Sequence, residues 1–316
     1  LVDAAKKTAS LRYQLERKAA PLIFVNTCPG AGNDINEWAV ITDESTGTKV
    51  SGQYAFPHTT LIDPVCFAEL SSRQMFFSGM DALVQSFEGA ASTGAKPETI
   101  AGSRIGAGLL RDFMKASLAA GRTPQQRLYP RAMAALGATV AGASMSQAGL
   151  GLTHGIGNQV SEVPHGLVVA MVFPQALRYS VDCSGLARKR YGELFADVLP
   201  YDRMDELPEL LVDYMWTGKG IRGEQDEGLN GITCVNHEEV SFLEGFARAL
   251  GVYLEAGDPD KHLARRIEVL ADQALHNVNT KTDPGYCADT LGKEDILMIL
   301  KRSIDCLVGI HRRESA

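Results

Sequence analysis

Near Ser71 the sequence changes character, and that break constrains the fold more than any other feature. Before it, short apolar runs alternate with turn residues. After it come long stretches rich in Ala, Leu, Met and Gly, with apolar residues at helical spacing. The chain therefore reads as a small α/β part over residues 1–68 followed by a large all-α part over residues 69–316, divided between Cys66 and Ser71.

In the first part, a helix is expected from Val2 to Lys18. It leads into Pro21-Leu22-Ile23-Phe24-Val25, an apolar run of the buried-strand type. The turn-rich stretch Thr27 to Asp34 follows, then a strand over Ala39–Thr42, a polar turn to Lys49, and a strand at Thr59–Pro64. In the second part, helices are expected over Ser71–Glu88, Pro97–Ala120, Pro124–Ala148 and His165–Tyr179. Asp205–Met215, Glu238–Leu254, Asp260–Asn277 and Lys293–Cys306 continue the series. Gly218 to Asn230 reads as a long loop.

With 316 residues there is room for two domains, and the apolar and charged fractions of 45% and 22% are those of an ordinary globular protein. A net charge of −7 argues against nucleic acid as a partner, since phosphate contacts want a basic face. The densest basic cluster, Arg188-Lys189-Arg190, is short and reads as a solvated face. No apolar run is long enough to span a bilayer, so no membrane partner is expected. The six cysteines show no CxxC pair and read as thiols in a reducing compartment, with the cytoplasm as the default location.

Chemistry concentrates in two places. Asp81 and Gln85 are four residues apart, so on a helix they share a face and can offer oxygens to one ion. His154 and Asn158 have the same relation, and Pro164-His165-Gly166 adds a second histidine at a helix start. One carboxylate and two imidazoles suit Zn(II) or Fe(II) and leave a position for substrate. Spacing alone does not establish this, because a lone histidine on an apolar helix is more often a core residue and Asp81 could be a cap.

The ordered motifs carry more information. Thr27-Cys28-Pro29-Gly30-Ala31-Gly32-Asn33-Asp34, Lys49, Ile62-Asp63-Pro64, Gly79-Met80-Asp81-Ala82-Leu83, Gly151-Leu152-Thr153-His154, Pro164-His165-Gly166 and Phe173-Pro174 together resemble the iron-containing (group III) alcohol dehydrogenase family. The resemblance implies a dehydroquinate synthase-like architecture, in which residues 1–68 are part of a Rossmann-like nucleotide-binding domain and residues 69–316 a helical metal-binding catalytic domain. It implies Thr27, Cys28, Gly30, Ala31 and Lys49 as cofactor contacts, and Asp81, Gln85, His154 and His165 as ligands of Fe(II) or Zn(II). Asp81, His154, His165 and Asn158 would be the catalytic set.

The implied activity is hydride transfer between a small alcohol or aldehyde and NAD or NADP, in a homo-oligomer of two or more chains. A divergent, metal-independent homologue that reduces activated keto acids, or serves as a binding or scaffold protein, is the alternative. Several departures from the family pattern motivate it. Gln85 and Asn158 stand where the family has histidines, and Cys28 and Ala31 stand where its turn has threonines. His58, His237, His262 and His276 are available to a proton relay, His276 being the one in a region the family folds toward its cleft. Val2 to Lys6 resembles the helix after the family's Gly-Gly-Gly-Ser turn, so most of the cofactor-binding half is expected to lie upstream of Leu1.

Overall fold

The computed structural model describes residues 21–43, 48–53, 56–119, 123–197, 199–220, 228–256, 261–286 and 290–315. The helix expected over Val2–Lys18 lies outside them, as does the middle of the Gly218–Asn230 loop. The chain divides into two compact units. One comprises residues 1–86 and 97–147, the other residues 87–96 and 148–316. The described residues form a large helical body with a small sheet remnant.

In the first unit, β1 (Ile23–Val25) pairs in parallel with β4 (Thr59–Leu61), in the register Ile23↔Thr59. β2 (Trp38–Asp43) and β3 (Thr48–Gln53) form an antiparallel hairpin with Trp38 opposite Gln53. The sequence pattern predicts a polar turn to Lys49 and no strand at Thr48–Gln53, and the structure has one there. That segment has polar and small residues and no apolar alternation, so only its pairing with β2 makes it a strand.

Helices α1 (Ser72–Ala91), α2 (Pro97–Leu118) and α3 (Pro124–Ala148) follow. Their starts are written in the sequence. Ser71 Oγ accepts from the Gln74 N–H at 3.1 Å while Gln74 Oε1 accepts from the Ser71 N–H at 3.3 Å, a reciprocal cap. Thr123 and Gln126 repeat it at α3, with bonds of 3.3 and 2.9 Å, and Pro97 and Pro124 occupy first helical positions where no N–H is needed. Helix α1 is continuous from Ser72 through Ala91.

The second unit is helical. α4 (Leu152–Gly157), α5 (His165–Cys183), α6 (Gly185–Leu194) and α7 (Leu207–Val212) precede α8 (His237–Ala256), α9 (Lys261–His276), α10 (Val278–Thr282) and α11 (Lys293–Glu314). α5 is the centre: every residue from Gly166 to Pro174 is buried, and α4, α6, α7 and α11 pack on it. A stretch apolar all round belongs in a core, so Gly166–Pro174 is interior, while His165 at the helix start is half-buried. Asn236 and Glu239 cap α8 reciprocally at 3.0 and 2.9 Å. α4 escaped sequence reasoning because Gly-Leu-Gly-Leu-Thr-His-Gly-Ile-Gly is too glycine-rich and too short to show helical periodicity.

Candidate metal centre

Helix α1 presents Asp81, Gln85 and Glu88 at offsets of four and seven residues, hence along one face, and all three are buried. Their neighbours Met80, Ala82, Leu83 and Val84 are buried too, so these polar groups sit within an apolar helix and need partners.

Glu88 finds its partners on the short helix that carries His154. Its carboxylate accepts from the Gly151 N–H at 3.1 Å, from the Thr153 N–H at 2.7 Å, and from the His154 ring at Nδ1, 2.6 Å away. Orphan N–H groups at a helix start attract a carboxylate, and this one satisfies two of them. A carboxylate on Nδ1 fixes the imidazole as the Nδ1–H tautomer and leaves the Nε2 lone pair for an ion, the arrangement typical of metal-bound histidines. Sequence reasoning missed Glu88. The signal that could have found it was the third polar residue on the Asp81–Gln85 stripe.

A second buried carboxylate, Asp283, accepts from the Leu152 N–H at 2.9 Å, the Ser180 hydroxyl at 2.7 Å and the Gly285 N–H at 2.7 Å. Burial, followed by the nearby charge of Glu88, pushes its carboxyl up to about 6. Burial and the same two carboxylates hold the Tyr191 phenol well above its ordinary value, so it stays protonated. Gly151 lies between the two acids. A Cβ there would fall 2.6 Å from Asp283 Oδ2 and 2.7 Å from Glu88 Oε1, which is why this position of the motif admits only glycine.

His165 opens α5 just after its N-cap, Pro164, and its ring centroid is 5.7 Å from that of His154. One donor atom each from Asp81, His154 and His165 lies within 4.8 Å of the others. Atoms bound to a common Zn or Fe at about 2.1 Å stand up to about 4.2 Å apart, so small side-chain rotations bring this set onto one ion. Gln85, one turn from Asp81 and only 3% exposed, has its Oε1 without a hydrogen-bond partner among the described residues. An acceptor buried and left over in this way fits a metal ligand better than a core amide. The donor set therefore fits a divalent ion.

Asn158 caps the C-terminus of α4, half-buried, with its N–H directed to the His154 carbonyl at 3.0 Å. Of the other histidines in the described residues, His58 accepts from the Leu22 N–H at 3.0 Å, His237 lies against His311, and His276 contacts the Asp272 carbonyl at 2.8 Å. None of them belongs to the Asp81 cluster. The side chain of His262 lies outside the described residues.

The turn residues sit in the first unit. Thr27, Cys28 and Ala31 are exposed and Gly30 is buried against Ser78. Asn26 Oδ1 accepts from the Cys28 N–H at 3.0 Å, and Asn36 Nδ2 donates to the Gly32 carbonyl at 2.7 Å. Gly32 has φ +66° and its built Cβ would meet Gly142 Cα at 2.4 Å, so the turn lies directly on α3. Lys49 pairs with Thr42 in the hairpin, and its side chain lies outside the described residues.

Comparison with known proteins gives this geometry a context. Residues 75–210 match the Fe-containing alcohol dehydrogenase family, C-terminal. The NAD-dependent methanol dehydrogenase of Bacillus methanolicus is 24% identical over 92% of this chain and 68% of its own length. The choline dehydrogenase of Bacillus subtilis is 29% identical over 62% of this chain and 49% of its own. The chain spans only 25% of the bifunctional aldehyde-alcohol dehydrogenase of Escherichia coli that it also matches. Among solved structures, a 1,3-propanediol oxidoreductase superposes with TM-score 0.69 at 20% identity, covering 92% of this chain and 67% of that one. An iron-containing alcohol dehydrogenase from Thermococcus thioreducens gives 0.65 at 19%, with the same coverage. Residues 75–210 thus carry a likeness to the Fe-containing alcohol dehydrogenase family, C-terminal, and the solved structures show that the chain shares the fold of iron-containing alcohol dehydrogenases.

Proposed function

We propose that the protein is a metal- and NAD(P)-dependent alcohol dehydrogenase or aldehyde reductase, with Asp81, Gln85, His154 and His165 holding one Fe(II) or Zn(II). The observation that carries this reading is the convergence of Asp81, His154 and His165, with Glu88 behind the His154 ring. The names of its relatives, a methanol dehydrogenase and a propanol dehydrogenase among them, support a small alcohol as substrate.

A divalent ion held by Asp81, Gln85, His154 and His165 would supply Lewis acidity toward a substrate oxygen, and a nicotinamide cofactor would supply the hydride chemistry. The chain's own residues do the rest. Asp81 contributes the ligand charge, and the two imidazoles remain neutral donors, His154 because Glu88 holds its Nδ1 proton. Gln85 is a neutral oxygen donor, so it leaves the charge of the site as a histidine there would, with a weaker bond to a borderline ion. Asn158 orients a hydroxyl or water by hydrogen bonding and exchanges no proton near neutral pH. Thr27, Cys28, Gly30, Ala31 and Lys49 are the proposed contacts of the nicotinamide cofactor.

His165→Ala tests the reading. About one metal per chain is expected in the parent, by elemental analysis after dialysis, and loss of both metal and alcohol-dependent NAD(P) reduction in the variant. Turnover retained without His165 would remove it from the ligand set.

A further inference from the structure

We propose that Asp283 is a positioning residue for the metal centre, fixing the helix of His154 against the helix of His165. The inference rests on the metal reading above and deepens it. His154 is the third residue of α4, a helix of six residues that has too few internal hydrogen bonds to define its own direction. Its start is instead held from outside by two carboxylates, which divide the backbone donors between them: Glu88 takes Gly151 and Thr153, and Asp283 takes Leu152.

Asp283 does something Glu88 does not. Through its other oxygen it accepts from the Ser180 hydroxyl, and Ser180 lies on α5, the helix that begins with His165. The loop is pressed onto that helix, for a Cβ on Gly285 would lie 2.5 Å from Ser180 Cα. One buried carboxylate thus joins the N-terminus of the His154 helix to the body of the His165 helix, and the separation of the two imidazoles depends on it. The polar bonds to Asp283 are made to residues other than the ligands themselves, so its effect passes through helix placement.

The test is metal affinity and metal geometry in Asp283→Asn and Ser180→Ala. An asparagine has one accepting oxygen, so it cannot serve both Leu152 and Gly285; Ser180→Ala removes one donor and leaves the carboxylate. Zn(II) affinity is read by competition with a chromophoric chelator, and ligand geometry by the visible absorption of the Co(II)-loaded chain. Expected is Zn(II) binding weaker by roughly 10–100-fold in Asp283→Asn, the scale of outer-sphere partners. A smaller loss in Ser180→Ala and an altered Co(II) spectrum in both are also expected. A role confined to stability would lower the melting temperature and leave the Co(II) spectrum of the loaded chain unchanged. Where Asp283→Asn does not fold, Ser180→Ala alone decides by the same two readouts. Parent-like affinity and spectrum in the folded variants overturn the proposal while leaving the metal reading intact. A folded parent that binds no Zn(II) overturns both.

Discussion

Nδ1 of His154 lies 2.6 Å from Oε2 of Glu88, and both side chains are almost fully buried. The same carboxylate accepts two backbone N–H groups, so it holds a ring and a helix start at once. Glu88→Gln keeps the shape but puts an NH2 group against donors. The variant is expected to fold and to bind Zn(II) roughly 10–100-fold more weakly, because the imidazole loses its fixed tautomer. Chelator competition measures it; unchanged affinity would show that Glu88 only caps the helix.

Gln85 gives the opposite prediction. Its Oε1 is buried with no hydrogen-bond partner among the described residues, one turn from Asp81. Gln85→His replaces a hard, neutral oxygen with an imidazole, which borderline Zn(II) and Fe(II) prefer. Affinity for either ion should rise by on the order of tenfold, and the preference of Zn(II) over Mg(II) should widen. Weaker binding in the variant would place Gln85 outside the ligand set.

Arg131 makes a stability prediction away from the site. Fully buried in α3, it donates from Nη1 to the carbonyls of Phe67 and Ala68, both at 2.6 Å, and from Nη2 to that of Leu70 at 2.8 Å. These carbonyls end the short 3-10 turn Pro64–Phe67 that follows the strands. Arg131→Met removes the cost of burying a charge but takes a donor from all three carbonyls, of which that of Phe67 keeps the Leu70 N–H at 3.3 Å, so a net loss of about 2–4 kcal/mol is expected. Urea unfolding followed by circular dichroism checks it, and a change within about 0.5 kcal/mol would mean that the acceptors find other donors.

How far the molecule was legible in its sequence follows from how local each signal is. The long helices were readable because Ser71, Thr123 and Pro97 announce their starts and apolar spacing sustains them. β3 was not, because its strand character comes from its partner. Asp81, His154 and His165 were recognisable through motifs, and Gln85 by its offset. Glu88 and Asp283 required the fold: their hydrogen bonds cross 63 to 131 residues, and nothing near either residue in the chain hints at Gly151 or Leu152. Helix α4 hides for the same reason, since it is set by those two carboxylates and has little helical propensity of its own.

Asp283 also predicts a pH dependence. Its carboxyl is pushed up to about 6 in the folded chain from an ordinary value of 3.8, first by burial and then by Glu88. Below about pH 4 both folded and unfolded chains hold the proton, and the group neither adds nor removes stability. Between about 4 and 6 the folded chain holds a proton that the unfolded chain has released, so unfolding releases one and stability falls as pH rises. Above about 6 both forms are ionised and the loss, about 3 kcal/mol at most, is complete. In the metal-free protein, the unfolding free energy of the parent minus that of Asp283→Asn should therefore decline across this window, because asparagine does not titrate. Subtraction removes the slopes of the histidines and other acids that the two chains share. Urea unfolding at half-unit steps from pH 4 to pH 7 measures the difference; two parallel curves would mean that Asp283 ionises in the folded chain as it does in the unfolded one.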